Sequence, residues 1–430
     1  MKKILALAIT LLVFSYPIVT SWVLFFGYDT SAANAATKAL IAGLFLFVIV
    51  FGRTKNLNSL IAAAPLIIFF LFYAIRLLYD VMLLDVIYFG QSKFYTLAYF
   101  FGLTLLPVLA IAINIKKEDA PLLSQWLFVG AILANASILL YVQNAGVLGT
   151  ADAFSGRFEV KGDLEGTTVL NPIMIGLMGA ILVAFTIGRL GTLALATPWQ
   201  QAFHGALIVA GGSNILIGAS RGPALALGVA LLLTLFLLVR GGAVARGGRL
   251  KGKLWVYGGV MAAGLMYLVI TRSDTMFLFE RFASMFDPDM GRTIELRDVI
   301  YAQAWQNFLE APVFGYSYMT VDGYSPHNIF LEALMATGVV GSFFLIPTMY
   351  AAVLGGWRLL LGRSGREGVP IALVGACLFI VGLTSGSVGQ FPEFWVFLTI
   401  VMTLGAKARA PRRRREGGFL RDADLRGVSS

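Results

Sequence analysis

The feature that most constrains this chain is a succession of unbroken apolar blocks, each about 18 to 23 residues long, the length a helix needs to cross roughly 30 Å of hydrocarbon. Lipid offers backbone groups no hydrogen-bond partner, so only helices or closed barrels span it. Barrel strands alternate apolar and polar residues, and these blocks do not. With 58% hydrophobic and 13% charged residues and a mean hydropathy of +0.81, the chain carries more apolar surface than a water-soluble globule can hide. The expected fold class is therefore all-α, a polytopic membrane protein in contact with the lipid bilayer.

Read in order, the blocks predict twelve spans, near residues 4–26, 33–51, 58–79, 93–114, 121–142, 170–188, 201–219, 222–240, 254–271, 336–357, 369–388 and 390–406. The first follows Met1, Lys2 and Lys3 like the start of a signal peptide. It runs on to about Phe26 with further spans behind it, so it reads as a retained helix. The single cysteine, Cys377, excludes an intramolecular disulfide and any multi-thiolate metal site.

Lysine and arginine in short loops stay on the cytoplasmic side. With the N-terminus inside, the inner loops and the tail collect 23 of the 33 basic residues but only six of the 23 acidic ones. Both termini are thus expected in the cytoplasm of a bacterial inner membrane, with residues 1–406 forming the membrane domain and 407–430 a basic tail. The run Arg412 to Arg415 lies close to a span and reads as a surface and topology anchor. No nucleic-acid partner is expected.

Two outer loops exceed mere connectors: a first near 143–171, and a large periplasmic loop, 272–327, between spans nine and ten. The second contains the amphipathic stretch RDVIYAQAWQNFLEA, in which Ile300, Tyr301, Ala304, Trp305, Phe308 and Leu309 recur at helical spacing and suit a helix lying flat at the interface. Seven arginines stand on the outer side against the topological bias: Arg76, Arg157, Arg221, Arg272, Arg281, Arg292 and Arg297. Guanidinium groups grip phosphate oxygens bidentately and keep their charge, so an outer cluster suits a lipid diphosphate. The plainer reading is snorkelling or pairing, as Arg76 with Asp80 or Arg272 with Asp274. Arg221 is the sharpest case, because GASRGPALALGVALL sets it at the turn between two apolar spans.

The chain has two histidines. His204, near the inner end of span seven, reads as structural. His327 closes the large outer loop in GYSPHNIFLEALMATGVVGSF, where an imidazole can take a proton from a sugar hydroxyl. With Pro326 before it and Asn328 behind, helping to start the next helix is an equally good reading of the residue by itself. Asp287 and Asp289 form an outer DPD that reads as a turn before Met290 and Gly291. No convincing metal-ligand set is visible, and a metal on Asp287 and Asp289 is the competing reading.

The stretch from Arg297 to Gly341 resembles the central signature of the O-antigen ligase and polymerase superfamily. The matching positions are Arg297, Tyr301, Pro312, Gly315, His327, Asn328, Leu331, Glu332, Gly338 and Gly341. Ser220, Arg221 and Gly222 resemble the family's Ser-Arg-Gly, and Arg157 with Asn171 and Pro172 its earlier outer loop. A departure is Tyr316, where a further glycine often follows Gly315.

The resemblance implies a metal-independent, cofactor-free, inverting glycosyltransferase. Its donor would be an undecaprenyl-diphosphate-linked glycan and its acceptor a lipid-linked glycan or lipid A-core. His327 would be the general base, with Arg221 and Arg297, and Arg157 as a third candidate, on the departing diphosphate. The Pro-His-Asn-x-x-Leu-Glu form leans toward polymerase over ligase. The reading from a different class is a secondary transporter or a flippase of lipid-linked oligosaccharides. Such proteins usually have related halves and mid-membrane polar groups, whereas here the halves differ and the polar groups gather at the outer rim.

Overall fold

A computed structural model describes residues 1–52, 56–87, 91–146, 158–161, 168–192, 197–239, 292–362 and 365–406. The chain is helical almost throughout these segments. The first helices are α1 (Lys2–Phe25), α2 (Thr30–Phe51), α3 (Leu57–Leu83) and α4 (Lys93–Tyr99). A π-helical segment, Phe100–Leu105, carries α4 into α5 (Leu106–Asn114), and α6 (Ala120–Asn144) follows. A small antiparallel hairpin, β1 (Val160–Lys161) and β2 (Thr168–Leu170), precedes α7 (Pro172–Thr192), α8 (Pro198–Gly218) and α9 (Arg221–Val239). Beyond them come α10 (Arg292–Glu310), α11 (Ile329–Ser342), α12 (Leu345–Leu360), α13 (Gly368–Ser385) and α14 (Pro392–Gly405).

Among the described residues seven helices are long and apolar enough to cross a membrane, and eight if the bent pair α11–α12 counts as one span. This is a multi-pass membrane protein. The expected twelve spans are not all reached: the block at 254–271 lies outside the described residues, α8, at the expected span 201–219, is not among the helices apolar enough to count, and α9 and α14 are shorter apolar helices. The expected span at 336–357 is corrected more sharply. It is two helices whose axes bend by 98°, and the first begins at Ile329. The basic tail, 407–430, lies outside the described residues.

Helix α7 is the central post. Its run PIMIGLMGAILVAFTIGRLGT carries no charge before Arg189, and it is buried on nearly every side against α6, α8, α9 and α13. A second, aromatic core joins α3 to α14, where Phe69, Phe70 and Tyr73 meet Phe100 and Trp395; the rings of Phe70 and Trp395 lie 5.0 Å apart.

The end of the bundle that carries the candidate site is organised by a break in α11. Gly338 adopts φ 61°, ψ −164°, which withdraws the amides that follow from the helical ladder. The turn after α10 takes them up: the Val339 N–H donates to the Pro312 carbonyl (2.8 Å) and the Val340 N–H to that of Val313 (3.2 Å), while the Tyr316 N–H donates to Met335 (2.8 Å). Gly315 (φ 85°) and Gly338 pack backbone to backbone; a Cβ on Gly315 would strike the Ala336 carbonyl, and one on Gly338 the Val313 carbonyl. The Pro-x-x-Gly and Gly-x-x-Gly elements are thus two halves of one contact, and both glycines are required by positive φ and close approach. Tyr316 needs no glycine, because its side chain points outward.

The far end of α3 braces the same turn. Asp80, fully buried, accepts from Arg76 Nη2 (2.6 Å) and from the Tyr318 N–H (3.0 Å), and Arg76 Nη1 reaches the Gly315 carbonyl (3.4 Å). Pairing is therefore the reading of Arg76 that holds. Helix α10 packs one face on α11. Ala304 and Phe308 are buried and Asn307 donates to Met335 Sδ on α11 (3.7 Å), which leaves Trp305 and Leu309 exposed. The turn that ties 312–316 into α11 fixes this helix on the protein.

Candidate functional site

The candidate site residues come from the start of α9, from α10 and from the loop before α11. Arg221 is the first residue of α9. The turn before it is tight: Ala219 is left-handed (φ 41°), and a Cβ on Gly218 would lie 2.6 Å from the Pro172 carbonyl at the start of α7. Gly222 packs against α13, where an added Cβ would come within 2.9 Å of Thr384 Oγ1. Arg221 is thereby held half-buried between α7 and α13 rather than at the end of a loose loop. Arg297 projects from α10 and is exposed.

His327 immediately precedes Asn328, the N-cap of α11, and is itself left-handed (φ 51°), a conformation that costs a non-glycine residue on the order of 1 kcal/mol or more. The helix-starting role belongs to its neighbour, since Asn328 Oδ1 accepts the amides of Phe330 (3.0 Å) and Leu331 (3.1 Å). The imidazole is left for something else.

Electrostatics connects the three. The charge of Arg297 acts on both Arg221 and His327. Burial lowers the His327 pKa from its ordinary value and the Arg297 guanidinium lowers it further. The residue keeps substantial solvent access, so its burial is a local crowding of the ring rather than isolation from water. An imidazole kept neutral by burial and by the Arg297 charge is suited to accept a proton.

If His327 acts as a base, activity fails as pH falls through its pKa, because the charged ring cannot accept a proton. Arg297→Gln removes one lowering influence and raises that pKa. The acid limb of the kcat/KM profile is therefore expected to move to higher pH in the residual activity of Arg297→Gln, and a limb that stays in place argues against this coupling.

Behind the histidine lies a polar group whose role the sequence does not reveal. Glu332, on the first turn of α11, is fully buried. Its carboxylate accepts from Tyr73 Oη (2.8 Å) on α3, Ser325 Oγ (3.1 Å) in the histidine loop, and Ser387 Oγ (3.2 Å) between α13 and α14. The Val388 amide also donates to it. The sequence signals were two acidic residues inside or beside apolar runs, Asp80 and Glu332. The partners Tyr318 of Asp80 and Tyr73 of Glu332 lie 238 and 259 positions away in the chain.

Several sequence-predicted residues lie outside the description. Arg157, Arg272, Arg281, Asp287 and Asp289 fall there, and only the backbone of Arg292 is described. Among the described residues no group of three or more His, Cys, Asp or Glu side chains converges as a metal site. His204, by contrast, is buried with Nδ1 2.8 Å from the Gln200 carbonyl and its ring stacked on Phe128, a packed position.

No curated protein matches this chain. A family described as O-Antigen ligase matches residues 206–346. That stretch runs from α8 into α12 and contains Arg221, Arg297, His327 and Glu332, with both halves of the Gly315–Gly338 contact; Arg157 precedes it. The match supports the place of this chain in the O-antigen ligase and polymerase superfamily.

Proposed function

We propose that this membrane glycosyltransferase of the O-antigen ligase and polymerase type moves a glycan from an undecaprenyl-diphosphate-linked donor to a sugar hydroxyl at the periplasmic face of a bacterial inner membrane. The observation that supports the reading most is the match of residues 206–346, the segment that holds Arg221, Arg297 and His327, to the O-Antigen ligase family. His327 removes the acceptor hydroxyl proton as the acceptor oxygen bonds to the anomeric carbon. The bond from that carbon to the diphosphate breaks, its electron pair leaves on the diphosphate oxygen, and a single displacement inverts the centre. Arg221 and Arg297, with Arg157 as a third group, meet the charge that develops on the leaving group, where fixed cations lower the barrier most. No metal is needed in this scheme. The acceptor is a lipid-linked glycan or lipid A-core, and the Pro326 to Glu332 signature leans toward the polymerase.

The test is to incubate purified protein in lipid with an undecaprenyl-diphosphate oligosaccharide, with and without EDTA. Longer lipid-linked glycans indicate a polymerase, conjugates on an added lipid A-core acceptor a ligase, and both should persist in chelator. Activity lost in EDTA and restored by Mg²⁺ or Mn²⁺ would overturn metal independence and point to Asp287 and Asp289. Movement of the intact donor across the membrane with no glycosidic product would favour the flippase.

A further inference from the structure

The residue immediately C-terminal to the loop's proline carries the proposed chemistry in a backbone conformation that a side chain disfavours, so something must hold it there. Non-glycine residues persist at positive φ only where their surroundings over-determine them. On one side His327 is fixed by the Asn328 cap of α11. On the other, its own N–H donates to Ser325 Oγ at 3.3 Å, and Ser325 Oγ donates in turn to Glu332 Oε2 at 3.1 Å. Ser325 is buried and Glu332 wholly so, which makes each bond costly to lose, because a buried polar group without a partner forfeits its solvation as well.

We infer that Glu332 is a positioning residue, which acts through Ser325 to hold the His327 backbone in its left-handed conformation and so aim the imidazole at the acceptor hydroxyl. The inference rests on the proposed role of His327. Three hydroxyls reach the carboxylate, but they lead to different places. Tyr73 ties it to α3 and Ser387 to the connection between α13 and α14, while Ser325 alone among them bonds to His327. A purely structural hub would use the three arms alike. A positioning device makes the Ser325 arm matter to catalysis and leaves the Tyr73 arm to stability.

Ser325→Thr and Ser325→Val separate these cases, because the two side chains have nearly the same volume and differ in the hydroxyl. Ser325→Val is expected to show a kcat about tenfold below that of Ser325→Thr, the scale of one lost hydrogen bond, with KM for the lipid-linked donor nearly unchanged. Tyr73→Phe should lower the thermal midpoint while keeping kcat close to wild type. A second readout needs no turnover: diethylpyrocarbonate modification of His327, followed by mass spectrometry against pH. Its midpoint should rise toward an ordinary histidine value in Ser325→Val and stay at the wild-type value in Ser325→Thr. Equal kcat and equal modification midpoints for the two Ser325 variants would overturn the positioning role. A wild-type protein that forms no glycosidic product, yet shows the modification difference, would refute the glycosyltransfer reading while the positioning of His327 stands.

Discussion

His327→Ala is expected to reduce glycan-transfer turnover by about a hundredfold or more, the usual contribution of a general base, while donor binding stays nearly unchanged. The expectation follows from what the neighbourhood leaves the ring to do. Asn328 caps α11, so the imidazole is not spent on starting the helix. Burial and Arg297 lower its pKa, which favours the neutral, proton-accepting form at neutral pH. Because the ring is solvent-accessible, its removal leaves no large cavity, and the variant should express and melt like wild type. Single-turnover transfer and donor binding measured on the same preparation check this; normal transfer by a well-expressed variant would remove the central role of the residue.

The arginines carry the second large effect. Arg221→Ala and Arg297→Ala should each lower transfer by about a hundredfold, the scale seen when one fixed donor to a developing anion is deleted. Lysine at either position should restore only part, since an ammonium is a point charge and cannot reproduce the bidentate fork on a diphosphate. The two sites should also differ. Arg221 is half-buried in a tight turn, so Arg221→Lys is the more disruptive change, whereas the exposed Arg297 has room to adapt. Rates for the four variants, with donor affinity measured separately, distinguish grip on the leaving group from simple donor capture. Full activity in both lysine variants would argue against bidentate phosphate recognition.

Much of the candidate site is legible in the chain because its chemistry is rare and local. Two histidines in 430 residues, and an arginine set between two apolar spans, stand out against a lipid-facing background. Arg297, His327 and Glu332 lie within a short stretch, so their order is a motif. Glu332 is visible as a motif position but not as a hub, because Tyr73 and Ser387 reach it from distant helices. Arg76 is the converse: outer-leaflet arginines look alike in sequence, and only the bond to Asp80 and the reach to Gly315 assign this one to bracing a turn.

By itself the sequence determined the fold class and most of the helices, since membrane insertion depends on local apolar length, a property each block carries alone. It also determined which residue types could do chemistry. What only the tertiary structure decided was the shape of the end of the bundle that carries the candidate site. The break at Gly338, the 98° bend between α11 and α12 and the docking of α10 all arise from pairings between segments. Hydropathy runs smoothly through Gly338, and an unbroken apolar helix would satisfy its own amides. The break is stable because the carbonyls of Pro312 and Val313 receive the amides it frees, and that partnership belongs to no single stretch of the chain.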